Sequence, residues 1–145
     1  RPYEARVRQV LAEGGVSDHA RFTGYRSNVA DFVNTMRVLV HASVLPEPFG
    51  MVALEGMALR KPVVATVSGG VAEIVTSDTG MTYPAGDATA LAERIVALLS
   101  APELAETMGN AGYRRLTTVF RQDHYVDAIA RIYEALLSRV SGEQR

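Results

Sequence analysis

Apolar and polar positions along this chain switch between two periods, and the switching lays out helices and short strands in turn. Tyr3, Val7, Val10 and Leu11 recur at helical spacing, and Gly14-Gly15 supplies the stop. Arg21 to Thr23 is a short strand candidate, followed by a turn from Gly24 to Ser27. Asn28 and Asp31 have the spacing of a capping box and predict a helix to about Met36. Val38-Leu39-Val40-His41 reads as a strand buried on both faces. From Met51 to Leu59 almost every residue is apolar, which predicts a helix buried on most sides and closed by Lys61 and Pro62. Val63 to Thr66 is the next buried strand. Ser68-Gly69-Gly70 is a turn opening a short helix to about Val75, and Met81 to Tyr83 is one more short strand. Asp87 caps a helix with Leu91, Ile95, Leu98 and Leu99 on one face. Ser100 and Glu103 suggest a second capping box around Pro102. The last helix carries Tyr125, Ile129, Ile132, Tyr133, Leu136 and Val140 on one stripe, which reads as core.

Strands alternating with helices predict an α/β fold with a parallel sheet. Ligands in such sheets bind outside the carboxyl ends of the strands. The strand-to-helix loops are Gly24–Ser27, Ser43–Gly50 and Val67–Gly70, and they hold most of the site-like Gly, Pro and polar residues. Composition changes the picture only by exclusion. The 145 residues are 48% apolar and 21% charged, enough for one domain with a real core. The net charge is −1, and the 14 Arg and single Lys are scattered, so no nucleic-acid partner is expected. The absence of Cys excludes disulfides and thiolate metal sites. No apolar run approaches the roughly 18 residues needed to span a bilayer. No internal repeat or linker is evident, and a start at Arg1-Pro2 without Met suggests a fragment or a processed chain.

The candidate chemistry gathers in Glu47-Pro48-Phe49-Gly50-Met51, with Glu55 further along the same helix. Pro48 stands where the helix is expected to begin, a position that tolerates a missing N–H. Gly50 lets a ligand approach the backbone. The helix N-terminus offers free N–H groups and a positive dipole end to a phosphate. Glu55, in apolar company, requires an Arg or a polar ligand such as a sugar diol. It lies about five residues into the helix, roughly 7–8 Å along the axis, which is about the span from a diphosphate to the ribose of the same nucleotide. Glu47 is placed to reach the other side of the phosphates. His41 and Ser43 point to one face, but with no acidic third member recognised they do not suggest nucleophilic catalysis. His19 and His124 stand alone, Asp123 and Asp127 read as solvated, and no metal-ligand spacing occurs.

A Glu, seven residues and a Glu, with Pro48-Phe49-Gly50 after the first, resembles the signature of the retaining glycosyltransferases of family 4 (group 1). These enzymes have two Rossmann-like domains, the GT-B fold. The likeness runs from about Ala20 to Tyr133. It includes Arg21-Phe22-Thr23-Gly24, Lys61-Pro62-Val63-Val64-Ala65-Thr66, Gly69-Gly70-Val71-Ala72-Glu73, and Thr79-Gly80 leading to Pro84-Ala85-Gly86-Asp87. The resemblance implies a Rossmann-like parallel sheet flanked by helices. Residues 1–145 would form an incomplete C-terminal nucleotide-sugar-binding domain, without its first strands and without the N-terminal acceptor domain. It implies transfer of a sugar from a nucleoside diphosphate sugar to an acceptor hydroxyl, with no cofactor and no metal. Glu47 would contact hydroxyls of the transferred sugar at the catalytic centre, and Glu55 the ribose hydroxyls. Pro48, Phe49, Gly50 and Met51 would bring backbone to the phosphates. Arg26, Ser27, Asn28 and Asp31 would lie near the base, where Asp31 could accept from the N–H edge of a guanine. Gly69-Gly70 could face the donor phosphate or serve backbone geometry, and Glu73 could serve the site or its helix.

The family's Gly-Arg and Lys clamp on the diphosphate is not present, since Lys61 lies at the wrong end of the helix. Ala42-Ser43 stands where Pro-Ser is common. The resemblance also implies a cytoplasmic location, with peripheral membrane association through the missing domain. The acceptor would be a glycan, a lipid or a small molecule. The alternative is a non-catalytic nucleotide-sugar-binding or interaction module with an exposed apolar side on its last helix.

Overall fold

The structure is a computed structural model that describes residues 2–142, with side chains as far as Arg139. One parallel sheet has the order β1-β2-β3, built from β1 (Leu39–His41), β2 (Val63–Thr66) and β3 (Gly80–Tyr83). Leu39 lies opposite Val63, and Val64 opposite Met81. The helices are α1 (Pro2–Glu13), α2 (Val29–Thr35), α3 (Met51–Ala58), α4 (Val71–Ile74), α5 (Ala88–Ser100), α6 (Pro102–Val119) and α7 (Gln122–Gly142). Parallel strands cannot be joined by a hairpin, so α3 and α4 carry the crossovers from β1 to β2 and from β2 to β3.

The core has two parts because successive residues of β2 point to opposite faces. Val63 and Ala65 join Leu39 of β1, Ala53 and Met57 of α3, and Val71 and Ile74 of α4. Val64 faces the other way, towards Tyr83, Leu98 of α5 and Met108 of α6. All four residues of β2 are buried, as the apolar run predicts for a strand with a neighbour on each side. β1 departs from the prediction. Val40 is exposed, because β1 is the edge of the described sheet and only its α3 face is covered.

Several local expectations are corrected. Arg21 to Thr23 is not a strand, and all three residues are exposed. No described strand lies beside this segment, and the Phe22 ring instead receives the Arg8 guanidinium, 4.0 Å from its centroid. Pro48 is not the first helical residue. It lies in the loop, and Gly50 is the N-cap of α3. Ser100 is the last residue of α5, so Ala101, not Ser100, precedes α6. The Asp87 cap forms as expected, its carboxylate accepting from Ala90 N–H at 2.9 Å. The stripe of α7 is not core: Tyr125, Ile132, Tyr133 and Leu136 are more than half exposed. Val140, the last position of that stripe, lies outside the described side chains.

Candidate active site

The β1–α3 loop and the β2–α4 loop meet beyond the carboxyl ends of their strands. Glu47 forms an isolated parallel bridge with Gly69, and its carbonyl accepts from Gly70 N–H at 2.9 Å. Gly69 has φ 62°, and a Cβ there would run into the Glu47 carbonyl oxygen. A Cβ on Gly70 would stand 2.5 Å from the Pro48 carbonyl oxygen. The two glycines therefore serve close contact between loops. The same holds for Gly50, at φ 95°, where a Cβ would collide with Cγ2 of Val71. On its Cβ side Gly50 is packed against α4.

α3 starts at Met51 just beyond this junction. Ala53 N–H is already bonded to the Gly50 carbonyl at 2.9 Å. Met51 and Val52 stand at the helix start, where N–H groups have no intrahelical acceptor. The side chains of Phe49, Met51 and Val52 are exposed beside them.

Glu55 is corrected from buried to exposed. α3 covers the sheet with Ala53, Leu54, Gly56 and Met57, so Glu55 and Ala58 turn outward despite their apolar neighbours. The burial argument for a paired carboxylate therefore falls, but the position does not. Glu55 and Ser27 line one cavity of about 290 Å³, with Val29, Ala30 and Val33 of α2 and Ala58 and Leu59 at the end of α3. The structure thus joins the second Glu of the motif to one member of the Arg26–Asp31 group. The other three members are engaged locally. Arg26 lies 5.4 Å from the centroid of Phe32. Asn28 makes no side-chain cap and donates through Nδ2 to the Asp31 carboxylate at 3.1 Å, so the expected capping box does not form. Asp31 does not line the cavity shared by Ser27 and Glu55.

One residue of this region was not recognised in the sequence as a partner of the motif. His41 Nε2 lies 3.7 Å from Glu47 Oε2, so His41 has an acidic neighbour six residues on. Ser43 does not join them, since its hydroxyl donates to the Leu45 carbonyl at 2.9 Å. A polar residue ending an apolar strand, just before a site loop, was the available signal. His41 Nδ1 and Thr66 Oγ1 are buried without a protein hydrogen-bond partner, both at the carboxyl ends of strands. Glu73 serves its surroundings through the backbone, its carbonyl accepting from Arg115 at 2.7 Å. Among the described residues no group of three or more His, Asp or Glu is placed to hold a metal ion. No described helix is long and apolar enough to cross a membrane.

Residues 1–115 match the sequence profile of Glycosyl transferases group 1, and the chain belongs to that family. It is 32% identical over 139 residues to the lipopolysaccharide core biosynthesis mannosyltransferase LpsB of Rhizobium meliloti, covering 93% of this chain and 39% of that protein. It is 30% identical over 132 residues to N-acetyl-alpha-D-glucosaminyl L-malate synthase of Bacillus anthracis, covering 90% of this chain and 34% of that protein. The chain therefore spans little more than a third of the length of these relatives. HepE of Anabaena, solved in complex with UDP, superposes with a TM-score of 0.87 at 25% identity, over 92% of this chain and 37% of HepE. Sucrose-phosphate synthase of Thermosynechococcus elongatus superposes with a TM-score of 0.84 at 30% identity, over 95% of this chain and 35% of that one. The fold is the helix-flanked Rossmann-like α/β arrangement of the GT-B glycosyltransferases.

Proposed function

We propose that residues 1–145 are the donor-binding part, from the C-terminal domain, of a retaining family 4 glycosyltransferase. The whole protein would move a sugar from a nucleoside diphosphate sugar to an acceptor hydroxyl, without a cofactor. The observation that carries this reading is the cavity shared by Ser27 and Glu55. It lies between α2 and the exposed side of α3, the helix whose N-terminus adjoins Glu47. A nucleotide would place its base by Ser27 and its ribose hydroxyls on Glu55. Its diphosphate would lie at the Met51 and Val52 N–H groups, where the helix dipole favours negative charge. Glu47 would then accept hydrogen bonds from the transferred sugar. Arg26, Asn28 and Asp31 would frame the base side, where Asp31 accepts from Asn28 through Oδ2 and keeps Oδ1 for the N–H edge of a guanine. HepE, similar over most of this chain, has been solved with UDP-glucose. That supports a nucleotide sugar as the ligand.

Chemistry at the anomeric carbon breaks its bond to the diphosphate oxygen and forms one to the acceptor oxygen, and the acceptor's hydroxyl proton passes to the departing diphosphate. The departing diphosphate accumulates negative charge, and donors fixed at the start of α3 stabilise it without reorganising. The test is thermal unfolding of the full-length protein with UDP, GDP, ADP and their sugar conjugates. A ligand at about a hundred times its dissociation constant stabilises by roughly 2.7 kcal/mol. One nucleotide should raise the midpoint, and Glu55→Ala should remove that rise. A full-length protein that ignores all of them, or stays fully active as the Glu47→Gln, Glu55→Gln double variant, would overturn the reading.

A further inference from the structure

His41 closes β1 one strand repeat after the buried Leu39, so its ring stands on the covered face, between the core and the site loops. Its side chain is 11% exposed, and Glu47 beside it is 34% exposed. The backbone of Glu47 is tied to Gly69 and Gly70, but its carboxylate is approached by His41 alone among the ion pairs and hydrogen bonds of the described residues. The ring's environment selects a tautomer. Nδ1 is buried with no partner, so a proton there would be an unpaired buried donor. Nε2 faces a carboxylate, which can only accept. A tautomer with hydrogen on Nε2 turns a donor towards the carboxylate and leaves the cheaper vacancy, a bare acceptor, at Nδ1.

We propose that His41 is a positioning residue for Glu47. Its Nε2–H holds Oε2 and leaves Oε1 to accept from a hydroxyl of the transferred sugar. The inference rests on the donor-binding reading of Glu47. The 3.7 Å separation is longer than a hydrogen bond and short enough for a side-chain torsion to close it when a donor pulls on the carboxylate. Because Glu47 serves the sugar and not the nucleotide, loss of His41 removes only the part of the affinity that the sugar contributes. A merely structural histidine has no reason to discriminate in that way.

The experiment is calorimetric titration of the full-length protein with UDP, GDP and ADP, and with UDP-glucose, GDP-mannose and ADP-glucose. The pair that the wild type binds is then carried into the variants. His41→Ala should bind the conjugate about ten-fold more weakly, the loss expected for one hydrogen bond to a charged group. The matching diphosphate should bind as before. His41→Gln, which offers an amide N–H at similar reach, should recover most of the loss. Should His41→Ala fail to fold, His41→Met keeps the bulk without the donor and carries the same comparison. Conjugate affinity equal to wild type in the non-donor variants overturns the proposal. So does an equal loss for conjugate and diphosphate, or a loss that His41→Gln shares. A wild-type protein that binds none of the six ligands overturns the donor-binding reading itself, and the role of His41 falls with it.

Discussion

Gly69 and Gly86 share a left-handed backbone, with φ of 62° and 82°, but differ in what a side chain would meet. Nothing lies within 4 Å of a Cβ on Gly86, whereas the Glu47 carbonyl blocks one on Gly69. Gly86→Ala should therefore cost only the left-handed penalty, about 1–2 kcal/mol. Gly69→Ala should cost more, because the Glu47 bridge must open, and should also weaken donor binding. Urea denaturation of both variants checks the order, and equal losses would refute it. The turn at Ser68-Gly69-Gly70 was legible from composition, but its partner was not, since the contact joins two loops separated by a strand and a helix. Glu55 shows the opposite limit. Its apolar neighbours read as burial on most sides, yet a helix packed on one sheet covers only one stripe. The exposed Glu55 makes no described ion pair, so Glu55→Ala should change stability by less than about 0.5 kcal/mol while abolishing nucleotide-dependent stabilisation.

Helix α6 meets α3 and the turn that follows it through two small residues. A Cβ on Gly109 would strike the Arg60 carbonyl oxygen, and one on Gly112 would lie 3.0 Å from Met57 Cγ. Arg60 itself is left-handed at φ 54°. Its guanidinium lies 3.9 Å from the centroid of Tyr113 and donates to Asn110 Oδ1 at 3.1 Å. If Gly109 were only a weak helix former, alanine would stabilise by about 0.5–1 kcal/mol. The blocked Cβ reverses that sign, and Gly109→Ala should destabilise by about 1–3 kcal/mol as α6 is pushed off α3. A midpoint above wild type would show that the helices separate freely. Helix starts were legible where the cap is local, as at Asp87, and not at Ser100, which α5 absorbs. Asp123 is exposed, as its solvated reading has it, and also pairs with Arg121 just before α7, with contacts of 2.9 and 3.1 Å. That hydrogen bonding holds the carboxyl well below its ordinary 3.8. A lowered folded value means the contribution is present above 3.8 and lost as pH falls towards the folded value. The α7 helicity of Asp123→Asn, followed by circular dichroism, should fall below wild type at neutral pH and converge with it in acid.

At the scale of the molecule, the parallel sheet and the position of its site were legible because a topological rule ties them to strand order. What covers each face was not, because a periodic stripe states that a face exists and is silent on its occupant. α7 is the clear instance. Its apolar stripe reads as core, yet Tyr125 is 69% and Tyr133 64% exposed. The buried residues of both core clusters come from α2 to α6 and the strands, with Val75 just beyond α4, and none from the described side chains of α7. Removing residues 122–145 should therefore leave the urea midpoint of the remaining sheet and helices nearly unchanged. Because the slope of the denaturation curve follows the surface exposed on unfolding, it should fall little as well. The same deletion should reduce binding of a hydrophobic dye, since the exposed stripe is gone. A midpoint that drops sharply on deletion would mean that α7 folds back onto the sheet in solution. An unchanged midpoint with lost dye binding would make α7 an independent apolar surface carried by a core that does not need it.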